Sequence, residues 1–484
     1  MHKRFVINIV SRILLIICFF MIAPLSWALH DNIHSQEVKV FAWTILFGVI
    51  LSGLFLWVFR IQKDQYEKIN AKDGLAIVGL SWILLSAFGA LPFFLSGSVA
   101  SYSDAFFETV SGFTTTGATV ISNVEILPRG ILFWRSLTHW LGGMGIIVLF
   151  LALLPALGIS GFQLFRAESP GIAVERIDPR IKETAKSLWI VYVLLSVLET
   201  ILLMFGGMPL FDSLCHTFGT MATGGFSTKN ASIGAYGAYT QWIVIIFMFL
   251  AGTNFILHYQ ALRGKFKAFV KNEEFRYYLF LIIISVSIFT IVLAKGNISA
   301  NPLRDAAFQV TAILTTTGYA TADFDLWPHF LRFALIVLMF IGGCGGSTGG
   351  GMKIVRFFLS IKIAVRSIIQ TIFPNAVLPL KFNSSACSEK LAVTVASYFI
   401  IFISLFFAGT IFLTISENCD IVSAFSASIA ALSNIGPGLA KVGATQNYAW
   451  ISVPGKWMLA FLMLAGRLEL YSMLILFLPS TWKK

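Results

Sequence analysis

Four stretches of this chain bring small residues, threonine and glycine to a repeated offset, and their backbone carbonyls are the groups with chemistry to offer. They end Thr115-Thr116-Gly117, Ala222-Thr223-Gly224, Thr316-Thr317-Gly318 and Asn434-Ile435-Gly436. Each closes a segment of one plan: Asp104, Asp212, Asp305 or Ser423 at the start, about a dozen mostly apolar residues, then the stop. From first residue to glycine the four measure 13, 12, 13 and 13 positions. Carbonyl oxygens in such stops replace the hydration shell of a cation. None of the twelve stop residues carries a titratable side chain, which suits a monovalent, weakly hydrated ion better than a divalent one. The alternative is that the glycines only let helices approach closely; four recurrences at matched offsets favour the pore.

Two further features lie downstream. The run GGCGGSTGGGMK covers Gly342, Gly343, Gly345, Gly346, Ser347, Thr348, Gly349, Gly350, Gly351 and Lys353 within an apolar stretch. A helix interior loses about 1 kcal/mol per glycine relative to alanine, so this stretch is expected to be unwound at membrane depth and to serve as a gate. It is not a phosphate-binding loop, because Lys353 lacks the flanking Gly and Ser/Thr and no strand precedes it. Arg467, in the sequence Gly466-Arg467-Leu468-Glu469, is costly inside a span unless it faces a cavity or partner. It is expected to face the pore beneath the filter, not to pair with Glu469 two residues on. Glu108, Arg135, His139 and Glu199 also fall near membrane depth, where a satisfied buried polar role is favoured.

The elements that position these residues follow from composition. Of 484 residues, 57% are apolar and 12% charged, half the charge of a soluble domain at roughly 25%; mean hydropathy is +0.82. Ten apolar runs are long enough to cross a bilayer: 5–28, 38–59, 74–95, 132–156, 187–207, 241–262, 275–294, 330–360, 390–415 and 456–478. With the N-terminus inside, the inward segments hold 24 of the 35 Lys and Arg. This positive-inside bias places both termini in the cytoplasm. It also explains the net charge of +12 without nucleic acid. Five scattered cysteines suggest neither disulfides nor zinc, and the run at 5–28 is too long for a signal-peptide core.

The four segments are too short to cross. Placed on the outer face, each dips in as a half-helix and returns, with Asp104, Asp212, Asp305 and Ser423 as expected N-caps. Irregular backbone at that depth is tolerated only against protein or a water-filled cavity. Convergence on one axis aims four negative helix ends at the centre. The fold expected is an all-α polytopic membrane protein with four pseudo-symmetric helix–pore loop–helix repeats around a central pore, plus two N-terminal transmembrane helices. Its divisions are 1–72, 73–186, 187–274, 275–389 and 390–484. A membrane enzyme would need clustered His, Asp or Glu, and the seven histidines are dispersed. A solute transporter usually shows inverted repeats, whereas these share one orientation.

The four stops, the GGCGGSTGGG interruption and the AGRLE of the last span resemble the Trk/Ktr/HKT potassium transporter family, and the two extra N-terminal spans resemble its TrkH/TrkG branch. The resemblance implies potassium as the transported ion, no nucleotide on this chain, and one filter glycine per repeat: Gly117, Gly224, Gly318 and Gly436. It implies that 342–351 is an intramembrane gate with Arg467 close by. It also implies a homodimer in the bacterial inner membrane, in contact with lipid, and a cytosolic ring of nucleotide-binding RCK domains of the TrkA type. That ring would dock on the basic loops at 166–186, 263–276 and 353–366. A sodium/potassium symporter of the same fold is the alternative. Glycine at 117 points to potassium, and the departure at Ser433-Asn434-Ile435-Gly436-Pro437 makes the filter imperfectly fourfold.

Overall fold

A computed structural model describes residues 3–60, 71–144, 181–376, 378–383 and 385–479. The N-terminal part is α1 (Lys3–Phe20), α2 (Ile22–Asp31) and α3 (Gln36–Val58). Next, α4 (Ala71–Gly89) and α5 (Leu91–Leu95) lead to the short α6 (Tyr102–Phe113), and α7 (Arg129–Gly143) returns. Then α8 (Ile181–Phe205) leads to the short α9 (Leu210–Met221), followed by α10 (Ala238–Ala251), α11 (Phe255–Leu262) and the connector α12 (Lys267–Lys271). The third group is α13 (Glu273–Lys295), the short α14 (Pro302–Leu314), α15 (His329–Ile341) and α16 (Ile354–Ile372). A two-residue antiparallel pair, β1 (Lys381–Phe382) with β2 (Ser385–Ala386), follows. The fourth group is α17 (Glu389–Glu417), the short α18 (Ile421–Leu432), α19 (Val453–Arg467) and α20 (Tyr471–Leu474).

The long helices form because their residues are apolar on every face, and outward side chains such as Trp43, Leu194, Ile283 and Ile411 stay exposed where lipid tails would meet them. Polar caps fix their starts: Ser35 accepts from the Val38 N–H, Asn272 from Phe275 and Ser388 from Leu391. Among the described residues six helices are long and apolar enough to cross a membrane, or seven counting a bent pair, which makes this a multi-pass membrane protein.

The ten runs are not ten straight helices. The run at 5–28 breaks at Met21. The helices after the four short ones also stop part-way. Helix α7 ends at Gly143, α10 turns by 99° into α11, residues 342–353 separate α15 from α16, and 468–470 separate α19 from α20. The sequence reading anticipated only the third interruption. The first, second and fourth stop where a glycine meets a short helix or its cap residue, whereas the third stops at Gly342, which abuts Gly350 and Gly351 of its own glycine stretch. A side chain at Gly142 would fall 1.9 Å from the Phe113 carbonyl oxygen, and one at Gly466 equally close to that of Leu432. The second half of the run at 132–156, most of the basic stretch at 166–186, and Lys63, Lys68, Lys483 and Lys484 lie outside the described residues.

The core is built on the four short helices. Every residue of α6 from Ala105, and of α14 from Ala306, is buried. Each short helix packs on the long helix before it and on the return helix after it. Each also packs on the return helix of the group before: α9 on α7, α14 on α10, α18 on α15, and α6 on α19, which closes the circle. Helices α1 to α3 pack together, with α1 on α4 and α2 on α7.

The expected caps move by one turn. The short helices start at Tyr102, Leu210, Pro302 and Ile421, so Asp104, Asp212 and Asp305 sit in the first turn. They complement the positive helix end there. Ser101 caps α6, and Asp420 caps α18 by accepting from the Ser423 N–H.

Candidate functional site: a ring of glycines and carbonyls

The four stops meet. A side chain at Gly117 would fall 2.1 Å from the Gly224 carbonyl oxygen; at Gly225, 2.1 Å from that of Thr317; at Gly318, 1.8 Å from that of Ile435; and at Gly436, 2.6 Å from that of Thr116. Each glycine abuts the next segment's carbonyl, and the fourth returns to the first. The order is cyclic and closed, and only a hydrogen in place of a side chain fits these approaches.

This ring corrects the register of the second segment. Its residue with positive φ at the end of the stop is Gly225 (80°), matching Gly117 (82°), Gly318 (75°) and Gly436 (98°). Gly224 stands one position earlier, beside Thr116, Thr317 and Ile435. The hydrogen bonds agree: the N–H groups of Thr116, Gly224, Thr317 and Ile435 each donate to a carbonyl five residues back. Counted to Gly225, all four segments measure 13 positions. Ala222 aligns with Thr114, Thr315 and Ser433, the last residue before the turn.

The next position is left-handed in all four: Thr115 (54°), Thr223 (54°), Thr316 (61°) and Asn434 (56°). Asparagine visits that region readily, whereas a β-branched residue there costs of order 1–3 kcal/mol and needs surroundings that impose it. The Asn434 amide donates to Thr116 Oγ1 (3.0 Å) and to the Met463 carbonyl (2.9 Å). The fourth segment therefore replaces the missing threonines with a side-chain tie to the first.

The surroundings that impose the ring are polar side chains about two turns into each short helix. Glu108 accepts from the Val120 N–H (3.0 Å) and the Thr119 hydroxyl (2.9 Å). His216 bonds Ser227 Oγ (2.9 Å), and Gln309 faces Thr321. Ser426 accepts from the Leu439 N–H (2.9 Å). Each brace holds the extended backbone that leaves the ring. Glu108 is also ion-paired with Arg135 (2.7 Å), both side chains fully enclosed. The Arg135 guanidinium donates to the Ser227 carbonyl (3.1 Å) and lies 3.5 Å over Phe226, joining the first segment to the second. At the outer end, Asp104 is neutralised by Lys456 (2.7 Å) and Asp212 accepts from Thr228 (2.6 Å).

Beneath the ring runs the interrupted stretch 342–353. Gly342, Gly346, Gly351 and Lys353 have φ of 81°, 74°, 73° and 72°. Its backbone is stitched to the bend between α10 and α11: the Cys344 N–H donates to Gly252 O (2.9 Å) and the Phe255 N–H to Gly346 O (3.0 Å). The Thr348 hydroxyl donates to Met221 O (2.9 Å). The Gly350 N–H donates to Thr316 Oγ1 (2.6 Å), and a side chain at Gly350 would meet the Ser433 carbonyl. Lys353 is buried, and its ammonium donates to the Gly349 carbonyl. Gly343, Gly345, Ser347, Gly349 and Gly351 complete the stretch.

Arg467 reaches this stretch from α19. It donates to Thr348 O (2.6 Å), Gly142 O (2.6 Å) and Gly143 O (2.8 Å), so one guanidinium ties the glycine stretch to the first and fourth return helices. Glu469 turns to Arg356, as its spacing from Arg467 required. Two cations, the buried Lys353 and the half-buried Arg467, thus sit under a ring of carbonyls.

Among the remaining polar residues, Glu108 and Arg135 are satisfied buried groups. His139 lies flat on Phe226 (4.0 Å, 12°) directly behind Gly224. Glu199 and the ring nitrogens of His139 are fully buried without a hydrogen-bond partner among the described residues, so the satisfied role extends to neither. Sequence reasoning missed His216, Gln309 and Ser426 as braces, and Glu274, whose carboxylate accepts from the Gly345 N–H (2.6 Å). The signal for the braces was present: Glu108, His216 and Gln309 each stand four residues after an aspartate. Glu274 carried none.

A profile of the TrkH family of cation transport proteins matches residues 37–484. The chain is 39% identical to the Trk system potassium uptake protein TrkH of Salmonella typhimurium and to that of Escherichia coli K12, each covered over 100% of both chains. It is 33% identical to TrkG of Escherichia coli K12, over 100% of this chain and 99% of that one. The crystal structure of the potassium transporter TrkH from Vibrio parahaemolyticus superposes with a TM-score of 0.88 at 35% identity, over 100% of both chains. With all four ring segments and the glycine stretch inside the matched span, the chain belongs to the TrkH family of cation transport proteins.

Proposed function

We propose that the chain carries potassium into the cell across the bacterial inner membrane, through a filter formed by the glycine–carbonyl ring. The observation that carries this proposal is ring closure: four segments of one chain present carbonyls around one axis, with no ionisable group among them. Cation-attracting helix ends add to the same field. The carbonyls of Thr115, Thr116, Thr223, Gly224, Thr316, Thr317, Asn434 and Ile435 stand in for a hydration shell. Gly117, Gly225, Gly318 and Gly436 admit the close approach. Relatives whose names describe potassium uptake support the choice of ion.

The stretch 342–353 acts as the gate, and Lys353 and Arg467 oppose a cation while it is shut. The repeats are 73–186, 187–274, 275–389 and 390–484, with both termini in the cytoplasm. The chain works as a homodimer with a cytosolic RCK-type ring that controls opening, and the basic faces around 263–276 and 353–366 offer that ring a docking surface. The test is rubidium-86 uptake, with sodium competition, in cells lacking their own potassium uptake. Uptake resistant to sodium and rescue at low potassium are expected; neither appearing removes the proposal. Gly117→Ser should admit sodium, read as a rise in sodium competition against rubidium.

A further inference from the structure

The glycine stretch has almost no side chains with which to anchor itself, so what holds it must come from neighbours. Helix α13 starts beside it, with two rows of side chains four residues apart, the spacing that shares a helix face. One row meets α16. Glu273 accepts from Lys362 Nζ (3.1 Å) and from the Asn383 N–H (3.2 Å), while its own N–H donates to Asn383 Oδ1 (2.8 Å). Tyr277 stacks on Phe358 (3.9 Å, 13°). The other row meets the stretch and the bend that cradles it. Glu274 is 6% exposed and accepts from the Gly345 N–H (2.6 Å). Tyr278 donates to Phe249 O (3.1 Å) and fills the space over Gly252.

We propose that Glu274 is a positioning residue that latches the glycine stretch beneath the ring, and that the first two turns of α13 link this latch to α16 and the turn at 381–383. The proposal rests on the reading of 342–353 as a gate. A carboxylate is the acceptor that binds a buried amide most strongly, and without it the Gly345 N–H is left buried and unpaired. Because Glu273 and Tyr277 grip α16 from the same helix turns, a displacement of α16 loads the Glu274–Gly345 bond directly. The stretch is then released by movement at the cytoplasmic face, with no contact to the ring itself.

Cys344, next to Gly345, is buried and reports release. The full chain in membranes is alkylated with N-ethylmaleimide, and each cysteine is followed by mass spectrometry. Buried Cys18 and Cys215 serve as folding controls. Glu274→Leu is expected to speed Cys344 labelling about tenfold, the scale of losing one charge-assisted hydrogen bond. Cys18 and Cys215 stay protected, and basal rubidium flux rises. Glu274→Gln keeps an acceptor oxygen and loses the charge, and falls between Leu and wild type. Cys344 as protected as in wild type in both variants overturns the latch. If Glu274→Leu exposes all three cysteines it has unfolded, and the glutamine variant decides: faster Cys344 labelling supports the latch, and wild-type protection overturns it. Cys344 released without a change in flux keeps the latch and removes the gate. Flux that rises in Arg467→Ala but in neither Glu274 variant, with Cys344 protected, removes the latch and keeps the gate.

Discussion

The carbonyl ring and the glycine stretch below it are both irregular backbone in the middle of a membrane protein, but they are held in opposite ways. The ring places three β-branched threonines in left-handed backbone. It keeps them there with braces from the four short helices, a buried ion pair and a circle of helix packing. The stretch 342–353 places glycine at most such positions and is held by hydrogen bonds from outside: from Glu274, Thr316, Arg467, Met221 and the bend after α10. Strain that the surroundings over-determine persists, whereas a segment with few buried apolar contacts opens at low cost. On the function proposed above, the difference separates a filter that keeps its shape from a gate that changes it.

The contrast breaks most severely at the ring. Gly225→Ala puts a side chain against the Thr317 carbonyl at a positive φ, which costs roughly 2–5 kcal/mol from backbone and overpacking together. Rubidium uptake should fall below detection. Gly224→Ala meets the ring of His139 before any backbone and needs no positive φ, and should retain more uptake; the reverse order would return the proposed filter position to Gly224. Next, Arg135→Met strands the buried Glu108 carboxylate, at about 3–5 kcal/mol for a broken buried pair. A fall in the melting temperature in detergent, partly recovered by adding Glu108→Gln, checks it. The smallest effect is expected below the ring. Arg467→Ala removes the bond to the Thr348 carbonyl of the stretch and two more to Gly142 and Gly143 of α7, and should raise basal rubidium flux about tenfold, the worth of the one charge-assisted bond to the stretch, with the melting temperature nearly unchanged. Flux at the wild-type level would leave the stretch as rigid as the ring.

Much of this was legible because it is local. A short apolar run with an acidic start and a glycine stop is a half-helix wherever it is packed, and glycines at 342–351 break a helix by their own propensity. The breaks at 252–254 and 468–470 were not legible. They arise where a return helix presses a glycine against a short helix, a contact between residues far apart in the chain. Glu274 escaped notice for a similar reason: an acid at the start of a span reads as an ordinary first-turn residue until Gly345 is seen beside it.

The second segment marks the boundary most clearly. From sequence, Gly224 and Gly225 are equally free to take a positive φ, since neither has a side chain to forbid it. Choosing between them needs the Thr317 carbonyl and the His139 ring, which lie on other segments. Composition and local spacing were enough to show that the chain spans a membrane, that four short segments stop at a glycine, and that one helix is broken by glycine. The tertiary structure decided which residues meet: ring closure, the cross-segment pairs and the register. Propensity and periodicity act over a few residues, whereas contact between segments a hundred positions apart is settled only when the chain is packed.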